Sequence, residues 1–314
     1  MLTLADINAA RDRIADATRR TPIWQVATVD QSPVPASARL WLKLELLQAT
    51  GSFKARGAVN KALSLSPEEL QRGLVTASGG NHGLAVAYVG KRLGVPTTIC
   101  LPANVNPDKV VKLKTFGAKV LIDGANWDQS NKNALAISAA EGLSYIHPFG
   151  DPLVAAGQGT IALEILEAVP EIDTILVAIG GGGLITGIAT AAKAIKPSIR
   201  IVGIEPVGAQ TLKASIDAGS IVTLPKIETA AVTLAAGRTE PLNFETVRAF
   251  VDEIVIVTDD DMRNAARWLW SELSIAAELS GAASLAALRN GAVKVKPGEN
   301  VCALVCGVGR DGWA

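Results

Sequence analysis

Between Thr174 and Ala192 the chain reads TILVAIGGGGLITGIATAA, with no charged residue. A run of this length would cross a bilayer, which takes about 20 apolar residues. Four consecutive glycines, Gly180 to Gly183, argue against that, because glycine would break a helix in lipid. The stretch reads instead as a buried strand, a glycine turn and a helix. Four residues without side chains let backbone N–H groups converge on an anion, and a helix N-terminus adds partial positive charge. The plainer alternative is a tight strand-to-helix turn. A dinucleotide fold would use the same turn, and Glu205 ends the next strand where a ribose-binding acid would stand. Its G-x-G-x-x-G spacing fails, however, since the third glycine falls on Ile185 or Thr186. There is no Walker lysine either.

The rest of the chain repeats this strand-then-helix unit. GLVTAS, TTICLP, AKVLID, TILVAIG, RIVGIEP, EIVIVT and NVCALVCG read as strands, with helical patterns such as NHGLAVAYVGKRLG, NPDKVVKLKTFG and QGTIALEILEAV between most of them. RLWLKLELL alternates leucines against Lys43 and Glu45, as a half-buried strand would. LADINAARDRI has helical spacing, with Thr3 and Asp6 as a capping box. The alternation predicts an α/β fold with a mainly parallel sheet flanked by helices. No repeat or low-complexity linker interrupts it. Two prolines in HPFGDP (147–152) suggest a lobe boundary. The expected division is a large lobe of 1–72 and 150–314 and a small lobe of 73–149.

With 314 residues, 49% hydrophobic, the chain can bury a sizeable core. Lys+Arg and Asp+Glu both number 30, so no net field invites nucleic acid or an anionic membrane. No cationic segment followed by an apolar run opens the sequence, so a signal peptide is not expected. Three cysteines are too few for a disulfide scaffold and suit a reducing cytoplasm. The expectation is a soluble cytoplasmic protein.

In parallel α/β sheets, ligands sit at the carboxyl ends of strands. That rule selects the loops around Lys54, at 77–83, at 180–183 and at 306–312. In GSFKARGA, Ser52 could cap a helix and Phe53 could pack beneath Lys54. A lysine in a first helical turn lies next to the positive dipole end, which helps lower its pKa. Alone it would be an ordinary solvated lysine. With a phosphate cradle, it supplies what a phosphate-anchored aldehyde cofactor needs. Ser78, with the backbone of Gly79, Asn81 and His82 at a helix start, could hold a carboxylate; Ser78 could equally be an N-cap. His82 and His147 form no i, i+4 metal pair, and His147 reads as structural. Cys302 and Cys306 share a strand face but lie about 13 Å apart, too far for a disulfide or a shared metal. No metal site is expected.

Taken together, KLELLQATGSFKARGA, SGGNHG, AGQGTIALEIL, GGGGL and the CG of the last strand resemble the serine/threonine dehydratase and serine racemase branch of the fold-type II pyridoxal-phosphate (PLP) enzymes. The likeness runs in order from about residue 20 to the end. It implies two lobes, each with a mainly parallel open sheet. It implies that Lys54 carries PLP and that Gly180, Gly181, Gly182, Gly183 and Leu184 bind its phosphate. Phe53 would lie against the cofactor, Asn81 would bond its phenolic oxygen, and Cys306 would face its ring nitrogen as a neutral group. The implied reaction is β-elimination from a β-hydroxy amino acid, by default L-threonine or L-serine, to a 2-oxo acid and ammonia, in a homodimer.

Cysteine synthases usually differ at the lysine and asparagine loops, which ranks β-replacement below elimination. Phenylserine or hydroxyaspartate would be alternative substrates, since Trp127 and Gly150 depart from the expected pocket rim. From other classes, a nucleotide-binding oxidoreductase and a catalytically silent PLP-binding protein remain as rivals. Three departures from the family pattern stand out. Gly79 replaces the serine that protonates the opposite face in racemases. Thr211 replaces an acid that, with Glu205, serves metal-stimulated members. Leu279 follows Glu278 where relatives have proline, which puts a role for Glu278 near the cofactor in doubt. The ending just past Cys306 implies no regulatory domain.

Overall fold

The structure, a computed structural model, describes residues 1–27, 29–103, 105 and 107–312. Its strands are β1 (Ile23–Val26), β2 (Arg39–Lys43), β3 (Leu74–Ala77), β4 (Thr97–Leu101), β5 (Lys119–Ile122), β6 (Ser144–Tyr145), β7 (Thr174–Ala178), β8 (Arg200–Pro206), β9 (Glu253–Val257) and β10 (Asn300–Leu304). The helices are α1 (Leu4–Ile14), α2 (Lys54–Leu63), α3 (Pro67–Arg72), α4 (Asn81–Leu93), α5 (Pro107–Thr115), α6 (Trp127–Glu141), α7 (Pro152–Ala168), α8 (Gly183–Ile195), α9 (Thr211–Ala218), α10 (Pro241–Phe250), α11 (Asp259–Leu273) and α12 (Leu279–Arg289).

They form two sheets, a six-stranded one in the order β1-β2-β10-β7-β8-β9 and a four-stranded one in the order β5-β4-β3-β6. Every pairing is parallel except that of β1 with β2. All strands of the small sheet come from 74–145 and all of the large sheet from outside that range. Helix α2, expected with the large lobe, buries Ala58, Val59 and Ala62 in the apolar cluster of the small sheet, beside Leu74, Leu84 and Ile99. Among the described residues, no helix is long and apolar enough to cross a membrane.

The uncharged run from Thr174 divides as its glycines require. All of β7 is buried, the chain turns through the glycines, and α8 is buried from Gly183 to Ala192. Helix α1 starts on the expected box: Thr3 Oγ1 accepts the Asp6 N–H at 3.2 Å, and the Asp6 carboxylate accepts the Thr3 N–H at 2.9 Å.

The alternation in RLWLKLELL misleads. Strand β2 ends at Lys43, Glu45 begins a short 3₁₀ turn, and both side chains are buried. Arg56, also buried, explains them. Its guanidinium meets Glu45 through Nε and Nη2 at 2.8 Å each and Glu164 through Nη1 at 2.6 Å. Lys43 Nζ donates to Glu164 at 2.5 Å and to Thr21 O at 2.7 Å. Two cations and two anions balance, which is the condition under which buried charge is tolerated. The cluster ties α2, two residues from Lys54, to β2 and α7.

Candidate active site

Lys54 is placed by backbone pairing of distant segments. Val308 N–H donates to Gly51 O at 2.8 Å, Phe53 N–H donates to Cys306 O at 3.2 Å, and Ser52 bridges Gly307. Glu278 N–H joins from a third segment, donating to Gly307 O at 3.1 Å. This ribbon brings Lys54, Cys306 and Glu278 together from three parts of the chain. Helix α2 opens at Lys54 with Phe53 as N-cap and no side-chain cap, and the buried Ser52 hydroxyl has no hydrogen-bond partner. Ser52 is therefore not the expected cap. Lys54 Nζ donates to Pro148 O at 2.7 Å and stands 5.2 Å from the centroid of the Phe53 ring. Burial pulls its pKa down to about 8, against the opposing pull of Cys306 and Glu278. A lysine so placed is ready to lose its proton near neutral pH.

The glycine loop stands opposite. Gly182 caps α8 without a side-chain hydrogen bond, so the first N–H groups of the helix have no acceptor within it. The reason for the glycines is packing behind the loop. A Cβ on Gly181 would lie 2.4 Å from the Phe149 ring, and one on Gly183 2.7 Å from Phe149 O. Gly182 has φ +101°, and its Cβ would lie 2.9 Å from Asn243 Cβ. Asn243 Nδ2 donates to Gly181 O at 2.9 Å and to Phe149 O at 3.2 Å, while Thr239 Oγ1 donates to Gly181 O at 2.9 Å. Phe149 thus joins the cradle to Pro148, the residue that receives Lys54.

The third wall is the loop from β3 to α4. Gly80, not Ser78, is the N-cap of α4 and offers no side chain. Ser78 Oγ instead accepts the Gly80 N–H at 3.2 Å. Asn81 Nδ2 donates to Glu278 Oε1 at 2.8 Å, and Ser280 donates to the same oxygen at 2.6 Å and accepts in turn from Thr233 Oγ1 at 2.6 Å. Glu278 is buried and meets the Asn81 side chain directly. Burial, with Asp311 nearby, pushes its carboxyl up, while the donors pull it down. A Cβ on Gly307 would meet Glu278 Oε1 at 2.3 Å, so the CG motif keeps this space open.

Cys306 lies two residues past the end of β10 rather than in it. Its Sγ donates to Ser280 O at 3.4 Å, and burial pushes the thiol up, so the group is neutral. The His82 ring is buried, with Nε2 2.9 Å from Ile146 O and Nδ1 unpartnered. Burial and then Lys54 push it down to about 3. His147 Nδ1 accepts from Phe149 N at 3.1 Å and Gly150 N at 2.6 Å, fixing the turn that offers Pro148 O to Lys54. Phe149, Thr233 and Asn243 were not singled out from the sequence. Each reaches the site through contacts between distant segments, which leave no periodic signal.

Glu205 is not free for a ribose. Its two carboxylate oxygens accept Leu212 N–H and Lys213 N–H at 2.8 Å each, capping the start of α9. Thr211 spends its hydroxyl on Ala236 O. Among the described residues, no three His, Cys, Asp or Glu gather as a metal set would.

A lysine of lowered pKa, a glycine-lined helix start and a neutral thiol share one cleft with an asparagine amide. That donor set suits a phosphorylated aldehyde cofactor with a ring nitrogen. The sequence profile of the family described as "Pyridoxal-phosphate dependent enzyme" matches residues 14–307. The chain belongs to that family. The enzyme is 39% identical to an L-threonine ammonia-lyase of Geobacter sulfurreducens over 97% of this chain and 75% of the relative. It is 36% identical to a phenylserine dehydratase of Ralstonia pickettii, over 98% of this chain and 94% of the relative. Its fold matches the structure of maize serine racemase with a TM-score of 0.93 and 37% identity, covering 98% of this chain and 93% of that one. The site residues fit the cofactor that the family name states. Lys54 would hold the aldehyde, the start of α8 the phosphate, Asn81 the phenolic oxygen and Cys306 the ring nitrogen.

Proposed function

We propose that the enzyme eliminates water from a β-hydroxy amino acid, by default L-threonine or L-serine, and releases a 2-oxo acid and ammonia. The observation that carries this reading is Lys54, with a pKa near 8, fixed by Pro148 O beside the glycine loop. Bound pyridoxal phosphate supplies the electron sink that makes the Cα proton removable. Lys54 Nζ, once neutral, takes that proton as general base. The Ser78–His82 loop, at the start of α4, orients the substrate carboxylate. The neutral Cys306 thiol gives the ring nitrogen no carboxylate partner. Similarity to an L-threonine ammonia-lyase and a phenylserine dehydratase supports elimination as the reaction class.

A second substrate reading rests on Trp127. Its indole N–H donates to Ala77 O at 2.8 Å, next to Ser78, and the side chain stays 40% exposed. This favours a substrate carrying an aryl group on Cβ. The enzyme is further read as a cytoplasmic homodimer, as the family resemblance implies, and its free, buried cysteines suit that compartment.

One experiment tests the core of the reading. One portion of purified enzyme is reduced with borohydride and mapped by mass spectrometry, and a separate, untreated portion is supplied with serine, threonine, hydroxyaspartate and phenylserine. A phosphopyridoxyl group on Lys54 and equal yields of 2-oxo acid and ammonia are expected. An adduct on any other lysine sinks the assignment, and silence on all four substrates sinks the activity. Sedimentation at micromolar concentration decides between monomer and dimer.

A further inference from the structure

The stretch Gly157-Gln158-Gly159-Thr160, in the middle of α7, takes no part in the chemistry above. Helix α7 lies between α2, which starts at Lys54, and α8, which starts at the glycine cradle. Both contacts are made backbone to backbone. On one side, a Cβ on Gly157 would stand 2.6 Å from Arg56 O and 2.7 Å from Gly57 Cα, and one on Gly57 2.6 Å from Val154 O. On the other, a Cβ on Gly187 would stand 2.2 Å from Ala155 O and 2.5 Å from Gly159 N, and one on Gly159 2.9 Å from Gly187 O. Real Cβ atoms essentially never approach within 3.0 Å, so each of these positions excludes a side chain.

Helix propensity argues against this composition. Each interior glycine weakens a helix relative to alanine. What the glycines provide is close approach. Gly57 lies one turn beyond Lys54, and Gly187 one turn beyond the start of α8. The other two residues of the motif reinforce the contact. Thr160 Oγ1 accepts from Arg56 Nη1 at 3.1 Å and donates to Gly157 O at 2.7 Å. The Gln158 amide nitrogen would stand 2.5 Å from a Cβ on Gly57. Contacts between backbones have no side chain to rearrange, so they transmit displacement directly.

We propose that Gly57, Gly157, Gly159 and Gly187 are positioning residues that set the span between Lys54 and the phosphate cradle. A ligand that engages both ends at once then gains the full advantage of two fixed anchors. This rests on the reading of Lys54 and Gly180–Gly183 as the two anchors of pyridoxal phosphate.

The test compares two ligands, pyridoxal phosphate and pyridoxal, which carries the same aldehyde without the phosphate. Their dissociation constants are measured for the wild type, Gly157→Ala, Gly159→Ala and the control Ile161→Val. Ile161 is a buried α7 residue whose truncation removes one methyl group from the core without adding an atom between the helices. In Gly157→Ala, pyridoxal phosphate affinity should fall roughly 10- to 100-fold while pyridoxal affinity changes little. The Ile161→Val enzyme should keep the wild-type ratio. Gly159→Ala meets the flexible end of Ile7, at 2.7 Å, besides Gly187 O. It should show the same pattern more weakly, and pairing it with Ile7→Val keeps the test open where Gly157→Ala does not fold. Equal losses for both ligands, or unchanged pyridoxal phosphate affinity in a folded variant, would overturn the proposal. A wild type that does not prefer pyridoxal phosphate to pyridoxal would instead remove the two-anchor reading beneath it.

Discussion

Asn81 and Glu278, 197 positions apart in the chain, meet at 2.8 Å, the asparagine amide donating to Oε1 of the acid. The bond joins the start of α4, which follows β3 of the small sheet, to the residue before α12. Ser280 donates to the same oxygen at 2.6 Å and accepts in turn from Thr233 Oγ1 at 2.6 Å. Donation from Asn81 and Ser280 to one oxygen suits an ionised carboxylate, whereas burial opposes the charge.

Removing the acceptor should therefore cost more than removing the charge. Glu278→Ala leaves buried donors unpaired and should lower stability by about 1–3 kcal/mol. Glu278→Gln keeps an oxygen acceptor and should cost less. Because the folded state raises the Glu278 pKa, it holds this proton more tightly than the unfolded chain. Stability is thus lost as pH rises from the ordinary carboxyl value of 4.5 through the folded pKa. The Glu278→Gln enzyme should lack that slope. Urea titrations across the acid range measure both effects, and identical slopes would show that the carboxyl does not titrate as argued.

Lys54 gives the opposite sign. Its folded pKa of about 8 lies below the ordinary 10.5, so below pH 8 the apoenzyme carries the full cost of a desolvated ammonium. That cost is relieved as pH rises from 8 towards 10.5. Apo Lys54→Met should be more stable than apo wild type at pH 7 by roughly 1–3 kcal/mol, with the gap closing by pH 10. A gap that does not change with pH would count against burial as the cause.

Much of this was legible in the sequence because it depends on neighbours in the chain. The Thr3–Asp6 box, the strand run before Gly180 and the lysine at the start of α2 follow from local spacing. The same local reading failed where a distant partner decides. Lys43 and Glu45 look like the wet face of a strand until Arg56 and Glu164 supply their counter-charges. Glu278 seemed doubtful from Leu279 next to it, but Asn81 and Ser280 place it. Strands β1 and β6 escaped notice because they are short and show no clean alternation of burial. Phe149 gave no signal, since only the folded loop brings its ring against Gly181.

The cradle can be loosened from behind without touching any atom that faces a ligand. Asn243→Ala removes the donor to Gly181 O and Phe149 O, and leaves Thr186 Oγ1, which donates to Asn243 at 2.9 Å, without its acceptor. A loss of about 1.4 kcal/mol at the cradle is a tenfold loss of affinity, so pyridoxal phosphate should bind roughly tenfold more weakly. Gly182→Ala should act the same way, since φ +101° disfavours any side chain and the new Cβ would press on Asn243 and Leu212. Cofactor retention after dialysis reads both variants. Full retention in either folded protein would show that the loop does not depend on this support.

Elimination should outpace racemisation. Inverting Cα requires an acid on the face opposite Lys54, within hydrogen-bond reach. Gly79, where the racemase branch carries a serine, has no side chain to offer. Ser78, one residue earlier, is turned towards the Gly80 N–H. A positioned acid is worth about 10²–10⁴-fold, so D-serine should form at least roughly 100-fold more slowly than pyruvate from L-serine. Similarity to maize serine racemase makes this a sharp test. Gly79→Ser should raise the ratio of D-serine to pyruvate. It should also lower stability, because its Cβ would stand 3.2 Å from both Leu101 and Val105 and one of them must give way. Chiral analysis of recovered serine, alongside keto-acid release, measures the ratio in both proteins. Wild-type enzyme that yields D-serine as fast as pyruvate would mean that some other group, or an ordered water, supplies the second proton.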